Sequence, residues 1–310
     1  MDTTNLQTNV KLNSMIMKNK FQFFGALLFG AMLIGGLTFT SCSDDDDDDK
    51  NGKIDPSTVA TANLVAYFPF DGNATEMKAS LTPTLSPNVT YVAGRRGQAY
   101  QGAEGAHLLY TLPDASKLKS LTSFTLAMWF KSPLVTGDPE PTVFEIGKSD
   151  DLFWGNLKFA LNRLDANADS LQLKAFFLKN GAVWSGQHVS YSDNVFQINR
   201  WMHIVLQYDE NTSKYMIYKD GVKIETNTGV EDRWAAGDDV NPRPKLGALA
   251  FVNADKINIG AWRPKTEGTA TDAWMGWFKG NLDELRVYDK ALTAIEVKAL
   301  YDAEVTQIVE

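Results

Sequence analysis

Residues 124–131, FTLAMWFK, alternate in a way that only an extended chain can use. Phe124, Leu126, Met128 and Phe130 recur at every second position, with Thr125, Ala127, Trp129 and Lys131 between them. A strand points successive side chains to opposite faces, so one apolar row lies on a core. The second row is also mostly apolar, as for a strand covered on both sides. Residues 201–226, WMHIVLQYDENTSKYMIYKDGVKIET, read as two successive hairpins. Asp209-Glu210-Asn211-Thr212 turns the first and Lys219-Asp220-Gly221 the second, because Asp-Gly accepts the positive φ such turns require. LKFALNRL (157–164) and SLQLKAFFL (170–178) read as neighbouring strands, and KINIGAW and GNLDELRVY as two late ones. Many short strands with closely spaced turn signals predict an all-β sandwich or jelly roll. One short C-terminal helix is expected. Thr293 and Glu296 form a capping box, and Leu292 and Val297 are spaced as a hydrophobic staple. Ile295, Ala299 and Val305 are expected to dock on the sheet, with Lys298 and Asp302 facing water.

The folding unit has a clear upstream boundary. The single cysteine, Cys42, stands between an uncharged apolar run and the six aspartates Asp44–Asp49. A lone thiol makes no intrachain disulfide, and six adjacent carboxylates repel one another and do not enter a packed core. Lys18 and Lys20 followed by FQFFGALLFGAMLIGGLTFTS read as the basic and apolar regions of a secretory signal, with the true start at Met17. Residues 1–41 are therefore assigned to a signal segment, 42–62 to an acidic tether and 63–310 to one domain. The net charge is −8, but from Lys50 onward 27 basic residues face 31 acidic ones, a balance of −4. No basic patch points to nucleic acid.

Six stretches occur in an order that resembles laminin G-like domains: LVAYFPFDGNATE, GRRGQAYQGAEGAHLLY, SFTLAMWFKS, WMHIVLQYDENTSKYMIYKDGVKIET, INIGAW and GNLDELRVYDKALTAIEVKALYD. The resemblance implies a concanavalin A-like jelly-roll β-sandwich. Phe39-Thr40-Ser41-Cys42 similarly resembles a bacterial lipobox, which implies lipidation at Cys42. The Ser and acidic run after it resemble a surface-export signal, implying a surface-exposed outer-membrane lipoprotein of a Gram-negative bacterium. The lipid anchor would be its only membrane contact.

In the jelly roll that the resemblance implies, the first and last strands pair antiparallel, which brings Asp71 towards Asp283. Asp283 shares strand parity with Leu285 and Val287, and a carboxylate on the apolar side is costly unless paired or metal-bound. Asp71, Asn73 and Asp283 are thus candidate ligands of a structural Ca²⁺, a cation that takes oxygen donors. Turn chemistry of Asp71-Gly72-Asn73 is the alternative.

Glycoside hydrolysis needs two suitably spaced carboxylates. The E-x-D-x-x-E pattern of laminarinase-like enzymes on this fold is not found: Gly147 follows Glu145 at the required place, and Asp283 and Glu284 are adjacent and expected on opposite faces. His107, His188 and His203 have no metal-ligand spacing, and His203 reads as a packed residue. Trp129 and Trp201 read as core, whereas Trp154, Trp184, Trp234, Trp262 and Trp274 lie in or near loops. Flat aromatic faces stack on sugars and mark binding surfaces when exposed. The stretch 227–251 is long for a connection. Trp234, with Arg233 beside it and Trp184 and Trp262 as companions, is the expected ligand-binding set. The expected function is surface-anchored, non-catalytic glycan binding. A protein-binding adhesion or assembly role is the alternative, and a glycoside hydrolase a third.

Overall fold

The computed structural model describes residues 55–136, 140–269 and 272–305. Cys42, the signal segment and the aspartate run lie outside the described residues. Two antiparallel sheets pack face to face, as the alternation predicts. With strands numbered in chain order, the first sheet runs β12 (Val222–Lys223), β11 (Lys214–Lys219), β10 (Met202–Asp209), β5 (Phe124–Lys131), β15 (Asn281–Tyr288), β3 (Gln98–Gln101) and β2 (Thr90–Ala93). β1 (Leu64–Phe68) also pairs with β15. The second runs β4 (Leu108–Thr111), β13 (Ala254–Ile259), β6 (Glu140–Lys148), β7 (Leu157–Asn162), β8 (Ser170–Phe177) and β9 (His188–Gln197), with β14 (Met275–Gly276) parallel to β6. The two expected hairpins form in register. Asp220 and Gly221 turn the second with φ of 51° and 78°.

The core lies between the sheets. Phe130 of β5 meets Phe159 of β7 at 5.7 Å, and Tyr208 of β10 stacks on Phe177 of β8 at 5.1 Å. β5 is covered on both faces: Leu126 and Met128 enter this core, while Ala127 joins a second cluster with Val205, Tyr288, Leu292, Val297 and Leu300. That second cluster seats α3 (Ala294–Val305) on the outer face of the eight-stranded sheet. Trp129 is buried as expected, but Trp201 precedes β10 and is only half-buried. Pro56 and Val59 are buried, and Val59 packs in the cluster beneath α3, so ordered structure begins inside the stretch read as tether.

The capping box forms: Thr293 N–H donates to Glu296 Oε2 (2.8 Å), and Glu296 N–H to Thr293 Oγ1 (3.2 Å). The docking face agrees with the sequence reading at Ala299, which packs against the second cluster, and differs at Ile295. Ile295 is 82% exposed, and the buried stripe is Val297, Leu300, Ala303 and Glu304. The Leu292–Val297 staple sets the phase, and Ile295, two residues before Val297, is turned about 200° away from it.

A second difference concerns parity. The register between β15 and β5 shifts between Asp283 and Arg286, and Glu284 has φ 53°. This bulge breaks the alternation that would have placed Asp283 on the core face with Leu285 and Val287. Leu282 keeps the core, Asp283 lies opposite Trp129 on the outer face, and Glu284 turns to the same face, bonding Tyr67 Oη (2.9 Å) and Arg286 (2.6 Å). The two adjacent carboxylates therefore share one face.

Candidate ligand-binding face

The outer face of the seven-stranded sheet carries one continuous cross-strand row: Asn258, Glu145, Lys158, Phe176 and His188, from β13 to β9. At its centre, Lys158 Nζ lies 3.2 Å from Glu145, both buried. Burial pushes the Glu145 carboxyl up and the Lys158 amine down, and their mutual attraction opposes each shift. Lys158 also donates to the Phe153 carbonyl and sits 4.0 Å from the Trp262 ring centroid.

The segment above this pair is built to hold rings. Asp151 Oδ1 accepts the N–H groups of Phe153 and Trp154, both at 3.1 Å. Gly155 follows at φ 66°, where a Cβ would lie 2.7 Å from Glu145 Oε1. The Asn156 side chain ties the segment to Gly147 and Val252. The resulting ring chain runs Trp184–Trp154 (5.2 Å), Trp154–Phe153 (4.7 Å) and Phe153–Trp274 (5.7 Å), with Trp262 packed on both Phe153 and Trp274.

Trp184 is the most exposed of these rings, at 46%. It stacks on His188 at 4.5 Å and 14°. Its backing turn cannot shift easily: a Cβ on Gly186 would lie 1.7 Å from the Trp234 carbonyl oxygen, and the Gln187 side chain bonds Lys179, Ala182 and Val183. Burial, with Lys174 and Arg233 nearby, lowers His188 to about 4, so the ring beneath Trp184 is neutral at pH 7. A cavity of about 180 Å³ opens here between Lys148, Asp151, Trp154, Phe176, Trp184 and Gln187. A second, of about 400 Å³, lies between Glu140, Arg163, Lys174 and Trp274.

Of the expected ligand-binding set, only Trp184 presents a broad free surface. Trp262 is buried and donates its Nε1–H to the Glu140 carbonyl (2.6 Å), because it forms the floor of the ring chain. Arg233 is also buried. Its guanidinium bonds the carbonyls of Asp232, His188 and Gly229, which fastens the long connection to the sheet. Trp234 is half-buried, with Lys245 and Arg243 at 4.2 and 5.2 Å from its ring centroid. The length of that connection is used in part for packing: Leu246 and Leu249 enter the core. Phe153, His188 and Lys174 were missed from the sequence. The outward parity of Lys174 and Phe176, between Leu173, Ala175 and Phe177, was a usable signal.

At the opposite sheet, Asp71 and Asp283 meet through the β2–β3 turn. Asp71 Oδ1 accepts Gln98 N–H (2.8 Å), and Asp283 Oδ2 accepts those of Arg95 (2.7 Å) and Arg96 (2.9 Å). Asn73 Oδ1 instead accepts Thr75 N–H within its own turn. Each of the three thus accepts backbone N–H groups of adjoining turns, and among the described residues no group of three His, Cys, Asp or Glu is placed to hold a metal. Asp283 Oδ1 is buried without a hydrogen-bond partner, and burial raises this carboxyl to about 8.

Solved structures with this arrangement include the binding domain of botulinum neurotoxin DC in complex with SialylT (TM-score 0.52, 11% identity). The same neurotoxin domain in complex with rat synaptotagmin II aligns with TM-score 0.53 and 12% identity. A botulinum neurotoxin type C structure, whose cell entry is described as dependent on two ganglioside molecules, aligns with TM-score 0.52 and 10% identity. Each comparison covers 80% of this chain, which spans about half of the other (52%, 52% and 53%). At such identities the likeness is one of fold. No curated protein sequence matches the chain. A laminin G-type family model, described as Concanavalin A-like lectin/glucanases superfamily, matches residues 105–298. With that match over most of its length, the chain belongs to the concanavalin A-like lectin/glucanase superfamily.

Proposed function

We propose that the domain binds glycan without catalysis on the outer face of the seven-stranded sheet, with Trp184 as the exposed platform. The observation that carries the reading is the Trp184 ring, backed by a neutral His188 and standing beside a cleft. An exposed tryptophan leaves a large apolar face in water, which a sugar ring would cover. The fold neighbours described with SialylT and with gangliosides support the reading. Trp184→Ala should weaken binding to an immobilised polysaccharide by about 1–2 kcal/mol, roughly 5- to 30-fold, with little change in melting temperature. Unchanged affinity, or a large loss of stability, rejects this platform. Reducing-sugar release from the same polysaccharide would overturn the non-catalytic part. A protein-binding role is the second reading, favoured by the neighbour complexed with synaptotagmin II.

Cys42 is proposed as the lipid anchor of a surface-exposed outer-membrane protein, supported by the lipobox-like residues before it. Calcium is proposed only as a partner of Asp283, on the strength of its unpartnered Oδ1. One metal equivalent by elemental analysis, and a melt lowered by chelation in wild type but not in Asp283→Asn, are the expected results. A protein free of metal after mild dialysis, with an unchanged melt, discards the ion.

A further inference from the structure

Two clefts on one face, joined by a chain of rings, say more about the ligand than a single platform does. Trp184 and Trp154 border the first cleft, Trp274 borders the second, and Phe153 touches both Trp154 and Trp274. The rings meet edge to face, at 65°, 74° and 69° with centroid steps of 5.2, 4.7 and 5.7 Å, so they form one packed chain that spans from the first cleft to the second. Beneath, Phe176 of the first cleft and Lys174 of the second are two residues apart on β8, about 7 Å along the strand.

The adjoining rows continue the face with small and polar groups. Lys174 lies between Ala160 and Ser190, and next come Asn162, Gln172 and Ser192. Gln172 Nε2 donates to Ser192 Oγ (2.9 Å), and Asn162 Nδ2 reaches Gln172 and Ser190. These amides and hydroxyls form a ladder suited to sugar hydroxyls.

The charges along the face are compensated. Lys174 lies 3.5 Å from Glu140, Lys148 lies 3.2 Å from Asp150, and Lys158 is paired with Glu145. Arg163 is engaged as well. An anion trap would instead leave these cations facing outward.

We infer that the face takes a neutral, linear oligosaccharide of three or more units, laid from Trp184 across Trp154 and Phe153 to Trp274, rather than one terminal or charged sugar. This rests on the glycan reading of the same face. The test is calorimetry on the intact domain with neutral gluco-, manno-, xylo- and arabino-oligosaccharides of one to six units, beside uronic-acid oligomers. For the series that binds, affinity should rise roughly tenfold or more from one unit to three. It should be insensitive to sodium chloride, since little of it is charge attraction. Trp184→Ala should weaken every length. Trp274→Ala should remove the gain from length while leaving single-unit binding. Gln172→Ala, which leaves the ring packing intact, should weaken only the longer ligands, and melting curves check that all variants fold. Single-unit binding that depends on Trp184 with no gain from length overturns this inference and leaves the glycan reading standing. Salt-sensitive preference for the uronic-acid series overturns it too. Absence of binding to every series overturns both.

Discussion

Lys158 and Glu145 show how a charged pair can be retained inside an apolar setting. Both are buried, and the attraction between them offsets desolvation only while both are present. Lys158→Met alone should therefore cost about 3–5 kcal/mol by denaturant unfolding, and it should also loosen the Phe153 carbonyl. The double variant Lys158→Met, Glu145→Leu should recover much of that stability, since no uncompensated charge remains. His188 offers a second measurement at this scale. Its folded value, about 4, lies below the ordinary 6.5, so the folded state holds the ring neutral. Its stabilising contribution is fully present above pH 6.5 and is lost as pH falls from there towards 4. Ring-nitrogen NMR should show His188 titrating near pH 4, and glycan affinity should stay flat from pH 8 to about 5.5, then fall. A ring titrating near 6.5 would mean that it is not packed beneath Trp184.

Two elements separate local pattern from packed outcome. β15 looks like a simple alternating strand, but the bulge at Glu284 moves Asp283 away from the core and places Asp283, Glu284 and Arg286 on the face beneath α3. Arg286 there also pairs with the buried Glu304 of α3, while Trp129 donates to Glu304 at 2.8 Å. In α3 the cap was legible from Thr293 and Glu296, because it depends on neighbours three residues apart. The docking stripe was not legible in the same way, because the surface beneath the helix selects it. Leu300→Ala should cost about 2–5 kcal/mol, as expected for a buried leucine. Ile295→Ala should stay within about 0.5 kcal/mol, as expected for an exposed site. Thermal melts of the two variants check the observed phase, and the reverse order would restore the sequence-based one.

Across the whole domain, the two sheets present opposite outer faces with different roles. The eight-stranded sheet carries α3, and the described chain enters there, with Val59 packed beneath the helix. The seven-stranded sheet carries the ring chain. The first described residues therefore lie on the side away from the proposed ligand face. If Cys42 is the anchor, Cys42→Ala should abolish fatty-acid labelling and membrane retention while leaving glycan binding of the purified domain unchanged. Equal labelling of wild type and variant would reject the anchor.

By itself the sequence determined the period-two strands, the Asp-Gly hairpin turn and the cap of α3, because each depends on residues close together in the chain, and the family, because six such stretches keep their order along it. Trp184 was visible as a loop tryptophan for the same reason. Tertiary structure decided which side chains stay exposed: Trp262 and Arg233 look as available as Trp184 in the sequence, yet one becomes the floor of the ring chain and the other a clamp on carbonyls. It also decided the facing of Asp283, through a bulge that one strand's residues do not encode. It brought Phe153, His188, Lys174 and Trp274 to one face from four separate segments. Exposure and juxtaposition depend on what packs across from a residue, and here those partners lie tens of residues away in the chain.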